Sequence, residues 1–237
     1  MVFIAGGLRM VSRSDWQQQL NQLDRSSWPA FLDANSGLPG PRGNIELAMA
    51  LADLADSQLV DDLLSSGDEY RMFCGAVCLG TRAAEDGVAA RLRALATEDR
   101  WRIREGVAIG LQRLGDSDPA ALHQIVEQWV DDPDPLVQRA AIAAICEPRL
   151  LRDPAAAAVA IEACTRATAL LAARPLQTRR DPGVRTLRQA LGYCWSVAVA
   201  ADPRPGLAEF RRLDDSDPDI SWIVTNNLRK KRLTRLL

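Results

Sequence analysis

Histidine occurs once in this chain, aromatic side chains make up only 5%, and several familiar chemical signatures are missing. There is no Gly-rich phosphate loop with its lysine, no GxGxxG after a strand and no HExxH, so nucleotide, dinucleotide and zinc-protease chemistry have no carrier. His123 is the one residue through which a histidine-based triad could run. It falls within Ala120–Val130 with no Ser or Cys nucleophile beside it, and a surface or half-buried helix position is the simpler reading. No run approaches the roughly 18 apolar residues that a membrane span needs. Met1–Leu8 is short for a signal-peptide core and has no basic region before it. The five cysteines (Cys74, Cys78, Cys146, Cys164, Cys194) are odd in number and scattered, each among Ala, Leu, Ile or Val. They read as reduced thiols in the core of a cytoplasmic protein, with no disulfide framework. The scarcity of aromatics, beside abundant Ala and Leu, argues against a β-sandwich and for closely packed helices.

What is present is ordinary in amount and unusual in arrangement. Hydrophobic residues make up 47% and charged residues 25% of the 237, enough for a substantial core. One pattern recurs: an acidic or Asp-Pro start, a β-branched or aromatic residue, then small residues and an aliphatic stripe. It appears at Asp68–Gly80, Asp99–Gly115, Asp134–Ile145, Asp181–Gly192 and Asp217–Leu228. Aligning Phe73, Ile103, Val137, Leu187 and Val224 gives spacings of 30, 34, 50 and 37 residues, which suit a two-helix repeat. In the second copy Ile103, Val107, Gly110, Leu111 and Leu114 share one helical face, with Arg102, Glu105 and Arg113 away from it. Seven Asp-Pro pairs punctuate the chain, at Asp118, Asp132, Asp134, Asp153, Asp181, Asp202 and Asp217. Asp accepts hydrogen bonds from first-turn amides and Pro at the first helical position loses none, so several of these pairs are expected to mark helix starts.

Apolar spacing and the helix-start residues predict helices near 14–33 (broken around Trp28), 43–55, 57–66, 68–80, 85–97, 99–114, 118–130, 134–147, 154–173, 183–201, 205–213 and 218–235. That is an all-α chain, a right-handed α-α superhelix of about six antiparallel helix pairs, forming a single domain over 1–237 with residues 1–13 expected to lack structure. Ser36–Gly43 and Ala173–Pro182 are the expected mobile loops.

Three clusters invite chemistry. Cys74 and Cys78 stand at i, i+4, half of a metal site without a second half, so small core residues account for them and no metal is expected. The carboxylates Asp61-Asp62, Asp131-Asp132, Asp214-Asp215 and Asp217 sit in predicted loops and caps, where capping accounts for them. No catalytic residue and no cofactor is expected. The third cluster is Trp101, Arg104, Arg139, Arg188, Trp195 and Trp222 on the second helices, which in a solenoid line the concave face. There they could hold a peptide or a nucleic-acid backbone with stacked bases. Alternatively the Trp side chains pack between repeats and the Arg side chains are solvated or paired with Asp.

The net charge of −2 hides an uneven distribution. Arg229, Lys230, Lys231, Arg232 and Arg235 form a basic tail on an acidic body. Such a tail either contacts an anionic partner or complements the dipole of a terminal helix.

On the Asp-Pro-x-Val-Arg form of the second helices, clearest at Asp181–Arg185, the repeats over residues 43–235 resemble the HEAT family. That resemblance implies a solenoid serving as a scaffold or binding surface. The segment Leu187–Trp195, ending at Asp202-Pro203, looks like part of the HEAT-like DNA glycosylases of alkylation repair, with Arg188, Gly192 and Tyr193 or Trp195 as the matching residues. Trp129–Asp132 is the nearest counterpart of that family's Trp-and-Asp cluster. The leading expectation is a non-enzymatic scaffold with a protein partner and no membrane association. The alternative is a DNA-binding relative of those glycosylases.

Overall fold

The computed structural model of the chain describes residues 11–237. Fourteen α-helices follow one another, and no strand occurs among the described residues. They are α1 (Arg13–Asn21), α2 (Trp28–Ala34), α3 (Ile45–Ala52), α4 (Ser57–Ser65), α5 (Glu69–Gly80), α6 (Val88–Ala96) and α7 (Trp101–Ser117). Then come α8 (Pro119–Trp129), α9 (Pro135–Ile145), α10 (Pro154–Ala173), α11 (Pro182–Ala201), α12 (Pro203–Phe210), α13 (Pro218–Leu228) and α14 (Lys231–Thr234). The expectation that 1–13 lack structure lies outside the described residues for 1–10; Ser12 caps α1 in a capping box with Asp15.

Alternate helices form a continuous inner layer, α3 against α5, then α7, α9, α11 and α13, with α5, α7, α9 and α11 each backed by the helix before it in the chain. Four antiparallel pairs, α4–α5 to α10–α11, account for the body; α12 packs on α10 and α11, α13 closes the C-terminal end on α11, and α1, α2 and α3 close the N-terminal end. Six of the seven Asp-Pro pairs start helices, with Pro at the first position. Asp118, Asp134, Asp153 and Asp217 accept from first-turn amides as expected. Asp132 is the exception: its carboxylate accepts from Asp134 N–H and pairs with Arg93, holding the turn before α9.

The core follows the repeat. Phe73, Ile103, Val137 and Leu187 are buried, but in the last copy the buried position is Ile223 while Val224 is half-exposed. The alignment therefore slips by one residue there, because Ile220, Ile223 and Asn227 make the face that meets α11. Both loops expected to be mobile are fastened. Tyr70 Oη donates to Asn44 O (2.8 Å) and Arg102 Nη2 to Gly40 O (3.1 Å). Arg179, almost wholly buried, donates to the carbonyls of Arg174 and Ala172 and pairs with Asp217.

This clamp gives a pH dependence. Burial pushes the Asp217 carboxyl up, but Arg179 and the amides of Ile220 and Asp219 more than offset this and hold it below the usual carboxylate range. A depressed folded-state pKa contributes stability that is present above the unfolded value, near 4, and is lost as pH falls through the folded value. Amide exchange in 173–182 and α13 is therefore expected to rise below about pH 4. Protection that stays flat from pH 6 to 3 would remove this role for the pair.

One helix departs from the sequence reading of membrane spans. α10 has 20 residues with a mean hydropathy of 1.4, long and apolar enough by length and composition to cross a bilayer. Half of it is buried against α8, α9, α11 and α12, as in the core helix of a solenoid.

Candidate functional site

On α7, Trp101, Glu105, Ala108 and Gln112 fall at i, i+4, i+7 and i+11, one face on the side away from the core stripe. Arg139, Ala143 and Cys146 repeat that register on α9 and just beyond it, and Ala190, Tyr193 and Cys194 present the matching face of α11. Together these faces form a concave groove. It contains two adjoining cavities of about 740 Å³ and 260 Å³, which share Glu105, Arg139, Glu147 and Tyr193. The small side chains of Ala108, Ala143 and Ala190 leave the space, and Arg42 and Gly43 of the fastened 36–43 loop form one rim.

Trp101 and Tyr193 decide the character of the groove. They are 49% and 43% exposed and are the two exposed aromatic side chains among the described residues; both line the larger cavity. Each carries cations against its ring. Arg102 lies 4.7 Å from the centre of Trp101, while Arg232 and Lys230 lie 4.8 and 5.5 Å from that of Tyr193. Arg232 Nη2 also donates to Tyr193 Oη at 2.9 Å. Between the two aromatics Arg139 pairs with Glu105 and donates to Arg104 O, and Glu147 pairs with Arg149 at 3.1 Å.

The expected Trp and Arg ladder is thus only partly brought together. Trp101 and Arg139 line the groove. Trp195 does not: it is fully buried, packs edge-on against Phe210 and donates to Thr168 Oγ1 at 3.0 Å, so its concave placement is corrected to the core. Arg104 turns to the carbonyls of Glu98 and Asp99, and burial, with Arg139 nearby, draws its pKa below the usual arginine value. Arg188 pairs with Asp219 and lies 4.8 Å over the ring of Trp222, so both belong to the contact between α11 and α13. The Trp-and-Asp stretch is likewise structural: Trp129 is buried, Asp131 pairs with Arg166 and Asp132 with Arg93.

The basic tail also differs from one long helix. α13 ends at Leu228 with Arg229 as its C-cap, and the chain turns back through Lys230 into α14, anchored by the fully buried Leu233. Lys231 and Arg232 lie in α14, a single turn of four residues, so only Arg229, which caps α13, sits where a longer helix's dipole favours a cation. The turn is what delivers Lys230 and Arg232 to Tyr193. Sequence reasoning missed Tyr193, Glu105 and Glu147 as one site; the signal available for part of it was the i, i+4, i+7, i+11 face of α7.

The remaining candidates are quiet. All five cysteines are free and buried; burial pushes the Cys78 thiol up to about 12. Cys146 and Cys164 come within 3.7 Å, yet no group of three metal-ligating side chains forms among the described residues. His123 is half-buried on α8. A cavity of about 530 Å³ between α8 and α10 lies on the outer layer and is lined mostly by aliphatic side chains, with no aromatic.

The fold and this groove define a helical-repeat solenoid with a concave face. Residues 75–146 match the family model for HEAT repeats, a stretch running from α5 to the end of α9, with α7 at its centre. No curated protein and no solved structure matches the chain.

Proposed function

We propose that this chain is a non-enzymatic binding protein that takes a segment of another protein in its concave groove. The observation carrying this reading is that both exposed aromatic side chains among the described residues stand in one groove. Isolated exposed apolar residues need no explanation, but Tyr and Trp in a recess are the side chains that anchor protein partners. HEAT repeats are commonly protein-interaction scaffolds, and a cavity of about 740 Å³ is within the range that shaped ligands fill. Five buried free thiols support a reducing compartment such as the cytoplasm.

A selection from a displayed random-peptide library tests the groove. Peptides enriched on the native protein are expected to lose about tenfold or more in affinity for the Trp101→Ala/Tyr193→Ala double variant, each anchor being worth about 1–2 kcal/mol. If nothing enriches, or if the enriched peptides bind the double variant equally well, the groove is not a protein-binding site. A second reading, DNA along the same groove, draws on the basic tail beside Tyr193. Salt-sensitive gel shifts of plain or alkylated duplex would support it, and no shift at low salt would end it.

A further inference from the structure

On the reading that the groove takes a protein segment, we infer that this segment is acidic at the end that meets Lys230 and Arg232 and uncharged where it crosses Glu105 and Glu147. The inference comes from how unevenly the solenoid neutralises its own cations. From α5 to α9 every arginine except Arg104 holds a carboxylate: Arg71, Arg82, Arg91, Arg93, Arg100, Arg102, Arg113 and Arg139 are all in ion pairs. From α12 onward the balance reverses. Arg212 pairs with Glu209, while Arg204, Arg211, Arg229, Lys230, Lys231, Arg232 and Arg235 hold no carboxylate among the described residues.

Two of these unpaired cations adjoin the groove through Tyr193, although neither lines its two cavities and Arg232 also borders a neighbouring one beside Pro148. Lys230 and Arg232 both stand over the Tyr193 ring, whose hydroxyl accepts from Arg232. The ring restrains both side chains, so a carboxylate arriving beside Tyr193 meets ordered donors, and charge-assisted hydrogen bonds add to aromatic contact. The floor sets the opposite requirement. Glu105 and Glu147 are already held by Arg139 and Arg149, so a charge laid over them finds no free partner and only loses its water. A nucleic-acid backbone carries a phosphate at every nucleotide and cannot leave the floor uncharged. A peptide chooses its charge residue by residue and can, so the chemistry favours a protein segment with a run of Asp or Glu at one end.

The test reuses groove-dependent peptides from the library, labelled with fluorescein and titrated by fluorescence polarisation. They are expected to be enriched in Asp and Glu at one end and to bind Lys230→Glu/Arg232→Glu about tenfold or more weakly. Arg211→Glu, which reverses an unpaired charge that makes no ring contact with Tyr193, should leave affinity unchanged. Both variants keep Leu233, and thermal melts check that α14 remains docked. Groove-dependent binders indifferent to the charge reversal would overturn the acidic-segment inference while the groove reading stands. The absence of any groove-dependent binder would overturn both. So would tighter binding of a labelled twenty-nucleotide single strand or duplex that is lost on charge reversal.

Discussion

Replacing Asn227 by alanine is expected to lower the melting temperature by about 6–12 °C, from a cost of about 3 kcal/mol at 2–4 °C per kcal/mol for a chain of this size. Asn227 is fully buried and makes three side-chain hydrogen bonds. Its Nδ2 donates to Leu191 O (2.9 Å) and Ile223 O (2.8 Å), and its Oδ1 accepts from Ser196 N–H (2.8 Å). The amide therefore joins α13 to the backbone of α11 with both its donor and its acceptor. Removing it takes away three hydrogen bonds to the helical backbone, at about 1 kcal/mol each, and opens a cavity. Asn227→Leu separates the causes, since it restores volume and not hydrogen bonds; it should be nearly as unstable as the alanine variant. Because repeats contact only their neighbours, amide protection should be lost first in α13 and α14 and retained in α5 and α7. A melting temperature within about 1 °C of the native protein would show that the three bonds contribute little.

The second large effect is expected where α5 crosses α7. A Cβ on Gly110 would lie 2.7 Å from Gly80 Cα and 2.7 Å from Val77 O; one on Gly80 would lie 2.5 Å from Gly110 Cα. The clash is backbone on backbone, with no flexible side-chain end to yield. Helix propensity alone predicts that Gly110→Ala stabilises by about 1 kcal/mol. Separating two packed helices costs about 1–3 kcal/mol for a methyl and more for a larger group, so the net effect should be destabilising. Gly110→Leu is expected to cost about 3 kcal/mol or more. It would also displace Trp101 and Glu105, which ride on α7, so peptide affinity should fall together with stability. A melting temperature that rises in Gly110→Ala would show that the helices have room there. The sequence places Gly110 on the apolar face of α7; that it meets Gly80 of α5 was not legible.

Much of the fold was readable because its determinants are local. An Asp that caps, a Pro at the first helical position and an aliphatic stripe at helical spacing act within one or two turns. Hence Asp118, Asp134, Asp153 and Asp217 mark helix starts in the sequence and cap them in the structure. The register of the last repeat failed for the complementary reason. A buried polar residue satisfied by a neighbouring helix looks, in sequence, like a surface one, so Asn227 disguised the stripe of α13.

The site was less legible than the fold. Trp195 and Tyr193 stand two apart on α11, and composition does not say which of them faces the core. The Phe210 and Thr168 contacts that bury Trp195 come from α12 and α10. Arg104, Arg139 and Arg188 read alike in sequence, yet one returns to its own loop, one enters the groove and one crosses to α13, according to which carbonyl or carboxylate lies within reach.

The sequence by itself determined that the chain is all-helical, where most helices begin, which faces are apolar and that the pairs repeat. Only the tertiary structure decided which aromatics stay exposed, that the basic tail turns back onto Tyr193 and that a groove opens between α7, α9 and α11. The reason is range. Helix formation is governed by neighbours a few residues apart, whereas a concave site is made by side chains that the stacking of separate repeats brings together.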